Sequence, residues 1–336
     1  MKKIILILLF VLLTRFVMPG NMETVKIPLP DLVNPHALAV DENQIYISEG
    51  AAVYIYSFKD FKLIKKFGKE GEGPAEFKTK AFEVIIQPTR LLINSAGKVS
   101  YFTKAGDFIS EFKTLAPDMR LKPFGDRFVS SRTLMVEGTF FVVVNLYDSK
   151  LELIKEIYRL LREVQVGGKG TTVFAHPLPY YAVDDRLLIA RGTDLRIEAL
   201  DIDGKPLYAV TYDYKKIKVT DADKKEVLEY MNTNAEIKPY LEMIKPIQFP
   251  DYYPAIRNYY PADSKIYVIT YKKEGEKNEC LMFDMKGKFL KQVFLPYVYM
   301  NVIDEYPTAI KGGKLLQLVD NDETQEWELH LTNIDK

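Results

Sequence analysis

Tyrosines gather at three points in this 336-residue sequence: Tyr180 and Tyr181 in "PYYAV", Tyr252, Tyr253, Tyr259 and Tyr260 in "PDYYPAIRNYYPAD", and Tyr306 in "EYPTAI". Arg257 lies inside the second group. A tyrosine offers a rigid apolar ring and a hydroxyl, which suits stacking a sugar or gripping a peptide. Alternate tyrosines also fill the cores of stacked sheets, so both readings stand at this point. Three histidines, His36, His176 and His330, leave few candidates for a Ser-His-Asp triad, and no G-x-S-x-G turn occurs. "VGGKGTT" from Val166 lacks the G-K-[ST] order of a phosphate-binding loop. "DNDETQE" from Asp320 alternates oxygens as a calcium loop does, but has no glycine at its sixth position and reads as a solvated hairpin turn.

The elements that must position these residues emerge when the chain is aligned with itself. An apolar run, a polar break, an alternating strand, a turn and a second alternating strand recur six times, with the first runs starting at 45, 91, 127, 187, 266 and 315. Within a copy, as in "VYIYSF" and "VSYFTK", the period is 2, so alternate side chains reach opposite faces of a sheet. Turns such as "KAGDF", "DIDGKP" and "DMKGKF" supply the residues a hairpin needs at positive φ. A less regular apolar segment precedes each copy ("HALAV", "AFEVII", "YYAV"), giving four strands per unit. Six such antiparallel sheets arranged radially predict an all-β, six-bladed β-propeller over residues 21–336. The last copy lacks a fourth strand, and "ETVKIPLP" from Glu23 lacks a copy of its own, so the N-terminal strand is expected to close the last blade and hide two open edges. Val25, Ile27 and Leu29 carry the alternation there.

Two segments break or join the rhythm. "FGKEGEGPAEF", residues 67–77, falls between the first and second copies and reads as a blade-to-blade crossing pinned by Phe67 and Phe77. Residues 220–246, between the fourth and fifth copies, read as a small helical insertion. Thr220 and Asp221 can cap a helix, and Ile237, Tyr240, Leu241 and Ile244 have the spacing of one buried face. Such an insertion is either a lid or partner-binding element over one end of the ring, or a rim decoration.

The first of these segments resembles the six-bladed propellers of the NHL-repeat type, which include related exported bacterial proteins. In that family a glycine-rich link ending Gly-Pro-Gly-Glu-Phe precedes a Pro-x-x-φ-x-φ-Asp strand and a φ-Tyr-φ-x-Asp strand. Gly73, Pro74, Glu76 and Phe77 match, Ala75 stands in place of the second glycine, and "NPHALAVDENQIYISEGAAVYIYS" from Asn34 matches the rest of the unit. The likeness is sharp over residues 34–112. Peptidyl-hydroxyglycine lyases of the same propeller type place metal-binding histidines in segments like "PHALAVD", which makes His36 a candidate ligand. The corresponding segments here offer Phe82 or Glu83, Phe124, Tyr180, Tyr259 and Tyr306. A catalytic zinc needs three protein ligands, and His36 with His176 leaves the third missing, so no metal or other cofactor is expected.

Composition bounds the rest. Two lysines, ten apolar residues from Ile4 to Leu13, then Thr14 and Arg15 read as an export signal over residues 1–20, too short to span a bilayer as a helix; retained, it would be an N-terminal membrane anchor. Without it 43 basic residues face 46 acidic ones, which argues against a nucleic-acid partner. A single cysteine, Cys280, allows no internal disulfide and reads as a small buried apolar side chain. The expectation is an exported, periplasmic or extracellular, non-catalytic monomer that binds a small molecule, glycan or peptide at the channel mouth. The residues expected to bind it are His36, Tyr180, Tyr181, Arg257, Tyr259, Tyr260 and Tyr306. The alternatives are an envelope protein-protein interaction scaffold and a metal-dependent propeller lyase or hydrolase.

Overall fold

The computed structural model describes residues 22–78, 83–116, 119–137, 139–161, 164–165, 170–174 and 180–334. Residues 1–20, expected to be an export signal, Phe82, His176 and the glycine-rich run 166–169 lie outside them.

The fold is a six-bladed β-propeller. Six four-stranded antiparallel sheets follow one another along the chain, within 35–67, 84–113, 120–161, 180–211, 258–295 and 308–333, here called blades 1 to 6. Each begins with its innermost strand, such as Pro35–Val40 in blade 1 and Asn258–Ala262 in blade 5. Blade 6 takes its outermost strand from the start of the chain: Thr24–Pro28 pairs antiparallel with Glu326–Asn333, Thr24 opposite Thr332 and Ile27 opposite Leu329. Ile27 in that edge strand and Leu29 just past its end turn toward the core, whereas Val25 stays 54% exposed.

Period-2 strands explain the ring. In blade 1, Ile45, Ile47, Tyr54 and Tyr56 point one way, into the contact with blade 6, while Tyr46, Val53 and Ile55 point the other way, into the contact with blade 2. Both faces of a blade are therefore buried, and six apolar clusters each join two neighbouring blades all the way round. Cys280 lies fully buried in the cluster between blades 5 and 6, and burial pushes its thiol pKa up.

The crossing from blade 1 to blade 2 closes that contact. Phe77 is fully buried and its ring lies 5.9 Å from that of Phe102, with Phe67 4.7 Å from Phe102 on the other side. Gly68 adopts φ +84°, and a Cβ there would sit 2.3 Å from the Phe77 ring, so neither the backbone angle nor the space admits a side chain. Ala75, where the resembled family has glycine, also sits in the left-handed region at φ +61°.

The insertion after blade 4 is helical, though not throughout. Thr220 caps the helix Asp221–Thr233 in a complete capping box with Asp223. The chain then breaks at Asn234 and resumes as a short 3-10 turn, Lys238–Tyr240, and a single α-turn, Leu241–Ile244. Leu241 is buried, with Ile237 and Ile244 packed against the same cluster. Tyr240 is 59% exposed, because the tighter 3-10 turn rotates it off the face that straight α-helical spacing assigns it. The link between blades 3 and 4 joins this insertion. Gly170–Thr172 pairs in parallel with Ile247–Gln248, and Val173 and Phe174 share the insertion's apolar cluster. Two segments distant in sequence thus form one cap, a pairing the repeat pattern does not foretell.

Candidate functional site

Innermost strands begin on the face that also carries the hairpins between second and third strands, as the bond from the Gly50 N–H to His36 Nε2 (3.2 Å) illustrates in blade 1. The cap leads into the innermost strand of blade 5, so it lies on this face. Two cavities open here.

The first, about 370 Å³, is lined by His36, Glu83, Arg120, Lys122, Ser131 and Tyr180. Lys122 pairs with Glu83 at 3.0 Å and lies 4.8 Å over the Tyr180 ring and 5.6 Å over that of Tyr181. Burial works against the Lys122 charge, but Glu83 and the two tyrosines overrule it and raise its pKa. The Tyr180 hydroxyl accepts the Ser131 N–H at 3.0 Å.

The second cavity, about 630 Å³, lies between the cap and the long hairpin of blade 5. Four segments supply its aromatic walls: Phe174 from the link between blades 3 and 4, Tyr253 from the lead-in to blade 5, Tyr271 from the hairpin and Tyr299 from the link between blades 5 and 6. Tyr253 and Tyr271 stack at 4.2 Å with their planes 17° apart, and Phe174 lies 4.7 Å from Tyr253. Phe174 holds φ +57°, a strained angle for a bulky residue and one that clusters at functional sites. The Arg257 guanidinium sits 3.3 Å over the Tyr299 ring and 5.0 Å from that of Tyr271. Behind it Glu305 takes Arg257 Nε at 3.3 Å, Asn258 Nδ2 at 2.8 Å and the Tyr297 hydroxyl at 3.0 Å, which fixes the arginine in place. Burial pushes the Tyr271 hydroxyl up to about 12, against the pull of Arg257, and raises Tyr253 and Tyr299 as well. At neutral pH all three stay protonated and can donate.

The cap is docked, not hinged open. The Tyr230 hydroxyl donates to Asp304 Oδ2 at 3.3 Å and accepts from Asn301 Nδ2 at 3.1 Å, while Val302 packs on the cap's apolar cluster. The link that carries Tyr299 and Glu305 is thereby tied to the helix Asp221–Thr233.

Of the residues the sequence nominates, His36 and Tyr180 share the first cavity and Arg257 lines the second. Tyr181 and Tyr259 meet edge to face at 5.0 Å between blades 4 and 5, and the buried Tyr259 hydroxyl donates to the Leu188 carbonyl at 2.9 Å. Tyr260 lies between blades 5 and 6 with its hydroxyl 2.7 Å from that of Tyr297, and Tyr306 packs edge-on to Trp327 against blade 1. Tyr271, Tyr299, Phe174 and the neighbouring Lys218, Lys272 and Lys273 join the site without belonging to any of the three tyrosine clusters. The fifth copy is unusually long and carries "TYKKEGEKN" in its hairpin, a sign that this hairpin projects past its blade. His330 lies in blade 6 and pairs with Glu328 at 2.8 Å. "DNDETQE" forms the hairpin turn of blade 6, with the Gln325 N–H donating to the Asn321 carbonyl. Among the described residues no three His, Cys, Asp or Glu side chains group as a metal site, and no helix is long and apolar enough to cross a membrane.

No protein-family model matches the chain, and no curated protein matches its sequence. Solved structures resemble it in fold. A Bacteroides fragilis NCTC 9343 protein described as exported superposes with a TM-score of 0.56 at 14% identity, over 94% of this chain and 96% of its own. A member of the DUF4221 family from Bacteroides vulgatus gives 0.51 at 12% identity, over 93% and 96%. At such identities the likeness establishes the propeller fold, and the chemistry must be read from the site itself.

Proposed function

We propose that this protein is an exported, non-catalytic propeller, related to the NHL-repeat type, that binds a small molecule, glycan or peptide in the cavity between the cap and blade 5. The observation that carries this reading is the nine-tenths buried Arg257 on the wall of a cavity lined by four aromatic rings, two of which meet its guanidinium. Export is supported by the apolar leader of residues 1–20 and by the shared fold of a protein described as exported. The repeat relationship is supported by Gly73, Pro74, Glu76 and Phe77 in the crossing. His36 and Tyr180, in the neighbouring cavity, extend the same surface for a longer ligand.

A glycan and peptide screen, read by calorimetry, tests the placement. Tyr271→Ala and Tyr253→Ala are each expected to weaken the best ligand about fivefold or more, since stacking on an aromatic ring typically contributes about 1–3 kcal/mol. Undiminished binding in both variants would move the site elsewhere.

A second reading, an envelope protein that holds another protein, is favoured by Leu228, Tyr240 and Met243, which stand 39%, 59% and 55% exposed on the insertion. A stoichiometric partner recovered from membranes by the wild type, and lost with Tyr240→Ser and Met243→Ser, would support it over the first.

A further inference from the structure

We infer that the guest of this cavity is a ring-bearing carboxylate, held by Arg257 through the carboxylate and by the tyrosines through the ring. The inference rests on the ligand-binding reading above and narrows it.

Arg257 is 10% exposed, and that exposed tenth opens on the cavity it lines. Its Nε faces Glu305, and its flat faces meet Tyr299 and Tyr271. Its two terminal nitrogens make no hydrogen bond among the described residues. A guanidinium stripped of water and left with its fork open wants a planar acceptor, and a carboxylate matches that fork with two parallel bonds. The Tyr299 hydroxyl on the same wall is buried without a hydrogen-bond partner among the described residues, a second polar group whose partner is missing.

Charge narrows the acceptor further. Lys218 and Lys273 line the cavity without a carboxylate partner among the described residues, while Lys272 is engaged by Glu279 at 2.7 Å. Asp223 and Glu226 line it too, and Glu305 already balances Arg257 from behind. Those charges balance, four positive against four negative, so the open Arg257 fork can take one carboxylate, whereas a dianion such as a phosphate monoester would add a second charge for Asp223 and Glu226 to repel. The parallel Tyr253 and Tyr271 rings with Phe174 beside them supply apolar faces for a ring next to the carboxylate.

Two sources share this chemistry, an acidic sugar and an aromatic acid, and matched pairs separate them. Calorimetry on the purified protein compares D-galacturonate with D-galactose, D-glucuronate with D-glucose, and 4-hydroxybenzoate with 4-hydroxybenzyl alcohol. In at least one pair the acid is expected to bind about tenfold or more tighter than its neutral twin, as a charge-assisted hydrogen bond allows. Arg257→Gln should bring the two together, and Tyr271→Ala should weaken both. Because Arg257→Gln leaves Glu305 without its cation, the double variant Arg257→Gln/Glu305→Gln provides the same test with both charges gone. Equal binding of acid and alcohol overturns the inference and leaves the ligand-binding reading standing. A preference for the acid that survives in the double variant overturns the role of Arg257. Absence of binding by every acid overturns the inference, and if the glycan and peptide screen is empty as well, the reading beneath it falls too.

Discussion

The contact between blades 1 and 2 and the cavity over blade 5 are built from the same kind of side chain to opposite ends. Phe67, Phe77 and Phe102 meet at 4.7 and 5.9 Å and are all buried. Phe174, Tyr253 and Tyr271 come about as close to one another, at 4.2, 4.7 and 6.2 Å, but with Tyr299 they stand around a space of about 630 Å³. Two things hold that space open. A buried cation, Arg257, occupies the position where an apolar side chain would otherwise complete the packing. A cap assembled from two links walls its other side and is tied to the link between blades 5 and 6 through Tyr230. A repeat unit therefore closes its own core, and a site appears where the unit is interrupted.

The largest expected break of this comparison is Phe77→Ala. Truncating a fully buried phenylalanine costs about 3–5 kcal/mol, which chemical denaturation should register as a lower midpoint, while binding at the distant cavity keeps its affinity at temperatures where the variant is folded. Weakened binding in the folded variant would mean the two regions are coupled.

Next in size is Asp41→Asn. Asp41 Oδ1 accepts the N–H groups of Asn43 and Gln44 at 2.9 Å, and Oδ2 takes Lys104 from blade 2, also at 2.9 Å. Burial alone would raise its pKa, but the backbone donors and Lys104 overrule it and hold the group below its ordinary 3.8. A carboxylate depressed in the folded state stabilises above its unfolded pKa, and that gain disappears as pH falls through the folded value. The variant should be about 1.5–3 kcal/mol less stable at pH 7, with the deficit shrinking below about pH 4. A deficit that stays constant from pH 7 to pH 3 would contradict this.

Tyr230→Phe tests the cap in the same terms. Losing the hydroxyl's bonds to Asp304 and Asn301 should cost about 1 kcal/mol, confined to the cap and visible as faster amide exchange in 221–233 while the blades are unaffected. The smallest change has the opposite sign. Ala75→Gly relieves a left-handed angle at φ +61° and gives back part of the gain through the freer unfolded chain, for a net stabilisation of about 0.5 kcal/mol by thermal melting.

The same contrast explains what could be read from the sequence. Blade count and the Thr220 cap rest on local patterns, period 2 and an N-cap residue, which neighbours in sequence satisfy, whereas the N-terminal clasp pairs Thr24 with Thr332 and shows only as a missing strand at one end and a spare one at the other. Tyr259 and Tyr260 stand out in the sequence as a pair, yet adjacent strand residues point to opposite faces, so one enters the contact with blade 4 and the other the contact with blade 6. Tyr271 and Tyr299 stayed hidden because the cavity gathers its walls from four separate segments. No spacing rule links those segments. The parallel pairing of Gly170–Thr172 with Ile247–Gln248 that holds the cap together is likewise a long-range event with no local mark.

Hydrogen-deuterium exchange with and without the best ligand of the screen tests the central claim most directly. Protection concentrated in 218–226, 253–257, 271–273 and 299–302, with blades 1 and 2 unchanged, is the predicted result. Protection centred instead on the segments around His36 and Glu83, or on the outward surface bearing Tyr240 and Met243, would contradict it.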